Sequence, residues 1–157
     1  MNKITILNAI ICTVRQSLEG ALLAADEARA TATNKENVAE NKYDTLGLEA
    51  AYLAHGQSKR CLQLERDLAA FVSLKENLTE HSEARLGSLV EVEQPDGEVR
   101  YLFIGPGCGG LQIDGEDETA TVITPASPLG SALIGAASGD DVILDTNTSP
   151  LSVISVQ

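Results

Sequence analysis

Tryptophan is absent from this 157-residue chain, and aromatic residues make up only 3% of it. Any core must therefore be built from aliphatic side chains, as helix pairs and small sheets allow. Proline is absent from residues 1–94, so nothing in that stretch forces a helix to break. No run approaches the roughly 18 apolar residues that a membrane span needs. The opening residues also lack the long apolar core and small-residue cleavage site of a signal peptide. A soluble, cytoplasmic protein without a membrane contact is expected.

Cys12, Cys61 and Cys108 are odd in number and show neither pairing nor ligand spacing. Reduced thiols are expected, not a disulfide framework or a zinc site. His55 and His81 stand far apart and are read as surface residues. Positive charge is scarce in one half only. Residues 81–157 hold two basic side chains, Arg85 and Arg100, against 12 acidic ones. Residues 1–80 hold 9 basic and 11 acidic groups, so most of the net charge of −12 lies in the second half. A phosphate backbone would be repelled there, which argues against independent nucleic-acid binding and favours a partner with a basic surface.

What is present falls into two halves with different periods. Leu7, Ile11, Val14, Leu18, Ala21, Ala25 and Ala28 recur at alternating steps of four and three, the seam of a coiled coil. Leu46, Ala50, Leu53, Gln57, Cys61, Leu64, Leu68 and Phe71 make a second such row. The polar link Thr31–Asn41 between them predicts that the two helices fold back on each other. An antiparallel coiled-coil hairpin is expected over residues 1–80, with its tip near 33–44. Thr33 and Glu36 fit a capping box for the second helix. Tyr43 and Tyr52 are expected to lie along the seam.

The second half, residues 81–157, alternates with the period of strands. Ser88–Glu93 and Val99–Ile104 flank Pro95-Asp96-Gly97, a hairpin turn. Ala120–Thr124, Asp141–Asp145 and Leu151–Val156 read as further strands. Ser127 as N-cap, Pro128 at the first helical position and Gly135 as stop predict one short helix. The fold class is therefore α+β, an antiparallel sheet with one helix following the hairpin. Gly105-Pro106-Gly107-Cys108-Gly109-Gly110 lacks the Lys and Ser/Thr of a phosphate loop and reads as a strand connection.

Ser127-Pro128-Leu129-Gly130-Ser131-Ala132-Leu133-Ile134-Gly135, followed by Gly139-Asp140, resembles the signature of the bacterial Gre-type transcription elongation factors. The spacing of that pattern is kept throughout, and the preceding helices have the length of a Gre coiled coil. The resemblance implies an FKBP-like C-terminal domain that docks on RNA polymerase. Ser127, Pro128, Ala132, Leu133, Ile134, Gly135, Gly139 and Asp140 would be the docking residues. It implies also a coiled coil passed down the polymerase secondary channel, whose acidic tip helps hold Mg²⁺ jointly with the polymerase. Such a chain has no catalytic residues and no tightly bound cofactor of its own.

The tip departs from the Gre pattern. Gre tips carry an Asp, two further residues, then Glu-Asn; here Thr33 or Asn37 stands at the Asp position. Glu36, Glu40 and Asp44, spaced at four and four, would share one face of a helix and form a substitute acidic cluster. Two versions stay open, stimulation of RNA cleavage and channel occupancy that competes with Gre factors. An FKBP-like isomerase or chaperone and a module for another protein are the remaining readings. A monomer is expected, with self-association through the Ala-rich hairpin as the fallback.

Overall fold

The computed structural model describes residues 1–33, 46–115, 118–144 and 150–157. Helix α1 spans Lys3–Thr33 and helix α2 spans Leu46–Glu76. The Asn2 side chain caps α1, its Oδ1 accepting from Ile4 N at 2.9 Å and Thr5 N at 3.2 Å. The seam of α1 lies where its period predicts. Leu7, Ile11, Val14, Ala21, Ala25 and Ala28 are all buried, and Leu18 is half-buried. Across from them, Cys61 is buried against Ala21 and Ala25, with Leu18 and Leu64 beside it. Lys3–Thr31 has the length and apolarity to cross a membrane. Its buried row is taken up by the helix pair.

One cap expectation and two seam expectations need correction. Thr33 is the last residue of α1, with its hydroxyl donating to Arg29 O at 2.9 Å. A residue already helical and bonded back to its own helix cannot be the N-cap of the next. Leu53 and Tyr52 are 56% and 71% exposed, so neither is packed in the seam. The seam of α1 narrows to alanine, its last buried member being the small Ala28. Tyr43, Leu46 and Ala50 have side chains outside the described set.

The chain divides into two compact units, residues 12–68 and residues 1–11 with 69–157. The second unit holds the sheet together with the first turns of α1 and the last turns of α2. Strands β1 (Leu89–Glu93), β2 (Val99–Ile104), β3 (Gln112–Asp114), β4 (Thr119–Ile123), β5 (Asp141–Val142) and β6 (Leu151–Val156) form one sheet in the order β3-β4-β2-β1-β6-β5. The predicted β1–β2 hairpin is present, with a register that runs from Leu89 opposite Phe103 to Glu93 opposite Val99. Gly97 takes the positive φ of +85° that its turn requires.

The sheet is antiparallel except between β2 and β4, which run parallel. The reason lies in the Gly105–Gly110 connection, where Cys108 and Gly110 both adopt positive φ. It carries the chain past the position beside β2, lets β3 turn back, and leaves that place for β4. Three residues of β3 are too few to show a period of two, which is why the sequence pattern misses this strand. On one sheet face Val90, Val92, Leu102, Ile104, Ile123 and Val153 are buried with Leu133. Phe103, Val122 and Leu89 are buried as well, as is Phe71 of α2. A Cβ at Gly105 would lie 2.9 Å from the Phe71 ring and 3.0 Å from Val122 Cγ1, so the ring packs onto the sheet there.

Candidate functional site

Helix α3 (Pro128–Leu133) is built as its sequence predicts. Ser127 is the N-cap: its Oγ accepts from Gly130 N at 3.1 Å and donates to Thr124 O at 2.7 Å. Pro128 occupies the first turn, where a missing N–H costs nothing. Gly130 is buried with no room for a side chain. Leu133 enters the core at 0% exposure, and Ala132 packs half-buried beside it.

The rest of the segment is a chain of fitted turns. Gly135 has φ +86° and donates to Ala84 O at 2.8 Å, while Ala84 N donates to Ala136 O at 2.7 Å. Gly139 has φ +93° and donates to Val153 O at 2.8 Å. Asp140 Oδ2 accepts from Ala137 N at 2.8 Å and closes the turn. The spacing of Ser127, Gly135, Gly139 and Asp140 is thus explained by backbone geometry, whatever touches the segment from outside. Pro128, Ile134, Gly135, Gly139 and Asp140 are exposed and could touch a partner. Leu133 could not. Its side chain is wholly within the core.

Loss of the cap is expected to be measurable. Ser127→Ala removes both the bond to Gly130 N and the bond to Thr124 O, and should cost about 1 kcal/mol. Chemical denaturation would show it as a lower midpoint at an unchanged slope. A midpoint equal to wild type would mean that the cap does not hold α3.

The proposed acidic tip, Glu36, Glu40 and Asp44, lies outside the described residues. Among the described residues no group of three or more His, Cys, Asp or Glu is placed to hold a metal ion. His55 is exposed, and His81 Nε2 shares a hydrogen bond of 2.5 Å with Thr79 Oγ1. Cys61 is a seam residue, and Cys12 is exposed on α1.

One polar cluster was not anticipated. Tyr101 alternates with Phe103 along β2, yet only Phe103 is buried. The Tyr101 hydroxyl donates to Glu118 Oε1 at 2.6 Å and approaches Glu91 Oε1 at 3.3 Å. Ser155 Oγ donates to Glu91 Oε2 at 2.8 Å. The bond to Glu118 holds the phenolic proton and raises the Tyr101 pKa above its ordinary value, with burial and the charge of Glu91 adding to it. Tyr101, Glu91 and Glu118 line an open cavity of about 610 Å³ with Glu98, Arg100 and Gln112. Its carboxylates turn anions away. The hairpin register, which pairs Glu91 with Tyr101, could have signalled half of this cluster. Glu118 arrives through the β2–β4 crossover, which no local pattern announces.

No family model matches the chain, and no curated protein does. Among solved structures, the crystal structure of GreA factor homolog 1 (Gfh1) of Thermus thermophilus is similar at 24% identity, covering 94% of each chain with a TM-score of 0.37. A second structure of the transcription factor Gfh1 is 24% identical over 95% of this chain and 94% of that one, with a TM-score of 0.39. Thermus aquaticus Gfh1 is 23% identical over 92% of each, with a TM-score of 0.36.

Proposed function

We propose that this protein is a bacterial transcription elongation factor that binds RNA polymerase and has no active site of its own. The observation that carries the reading is the Ser127–Asp140 segment. Its Gre-type spacing coincides with a rigid, capped turn that leaves Pro128, Ile134, Gly139 and Asp140 exposed. The two-helix arm accords with insertion into the polymerase secondary channel, and the acidity of residues 81–157 suits a basic docking surface. The cytoplasm is the compartment that such a partner requires.

In this reading Glu36, Glu40 and Asp44 face the polymerase active centre. Mg²⁺ takes hard oxygen ligands, so carboxylates are the side chains that could share it with the polymerase. The missing tip Asp favours regulation by channel occupancy over efficient cleavage. The isomerase reading is disfavoured because Phe103 is buried and Tyr101 is surrounded by carboxylates, which leaves no aromatic-lined apolar pocket around them.

The test is cleavage of nascent RNA in backtracked polymerase complexes. It compares wild type with a Glu36→Ala/Glu40→Ala/Asp44→Ala variant and includes competition against an active Gre factor. Competition without cleavage is the expected result. Cleavage that the triple variant loses would establish an active, rearranged tip. A protein that neither cleaves nor competes would defeat the proposed function.

A further inference from the structure

We draw no further inference here: the strongest candidate, the open cavity on the sheet lined by Glu91, Glu98, Tyr101 and Glu118, is a cluster of acidic side chains, and nothing in the structure shows what ligand it would hold.

Discussion

Gly130→Ala is expected to dismantle the Ser127–Asp140 segment and abolish binding to the proposed partner. A Cβ at this position would fall 2.0 Å from Thr124 O and 2.7 Å from Thr124 C. Both are backbone atoms, so no rotamer change relieves the clash. Thr124 O cannot move freely either, because it accepts from Ser127 N at 2.9 Å and from Ser127 Oγ at 2.7 Å. The methyl group therefore displaces the first turn of α3 and, through it, the fully buried Leu133.

Overpacking of this kind costs about 3 kcal/mol or more. At roughly 2–4 °C per kcal/mol for a chain of this size, melting should fall by about 6–12 °C. Gly135→Ala is the informative comparison. It has the strain of φ +86° but nothing within 4 Å of the added carbon, so about 1 kcal/mol is expected. Thermal unfolding of both variants, beside competition against a Gre factor for polymerase, would check the difference. A Gly130→Ala protein that melts with wild type would show that the segment yields in a way the geometry does not allow.

Phe71→Ala should be comparably damaging, for the opposite reason. The ring is 0% exposed, and its Cζ lies against the backbone of Gly105, with Val122 adjoining. Truncation leaves a hole between the last turns of α2 and the sheet, worth about 3–5 kcal/mol. Urea denaturation of the intact protein measures it. The same contact predicts a specific coupling. Gly105→Ala alone would force a Cβ to within 2.9 Å of the ring, whereas beside Phe71→Leu the ring contact is relieved and only Val122 Cγ1, at 3.0 Å, stays close. The double variant should then be more stable than the two single losses imply, by roughly 0.5–3 kcal/mol. Additive losses would mean that the ring and the glycine do not meet.

These two sites also mark how far sequence reasoning reached. Gly130 was a filler position in the signature pattern, with no reason of its own. Its role depends on where Thr124 O lies, six residues back around a turn, and on the burial of α3. Phe71 was read as a member of the helix seam by its spacing. The spacing was right about burial and silent about the neighbour. A row of apolar residues says that a face is covered, and it does not say by what.

The same division explains Leu133 and Tyr101. Leu133 stood among the docking residues because the signature includes it, yet burial makes it a core residue. Tyr101 alternates with Phe103 on one strand, a pattern that by itself would put both rings in the core. It lies in the half of β2 nearer the hairpin turn, which is not buried, and there Glu118 is in reach. Position within a strand, not residue type, separates the two rings.

The sequence by itself determined the local elements, since helix periodicity, the β1–β2 turn and the capping of α3 depend on residues within a few positions of one another. The seven-residue rhythm of α1 and α2, the Gly97 turn, and Ser127 with Pro128 and Gly135 were legible for that reason. Only the tertiary structure decided the parallel pairing of β2 with β4, the covering of Gly105 by Phe71, and the meeting of Tyr101 with Glu118. Each joins segments whose separation along the chain carries no periodic trace. Their partners are selected by packing and by unsatisfied backbone groups after the local elements have formed.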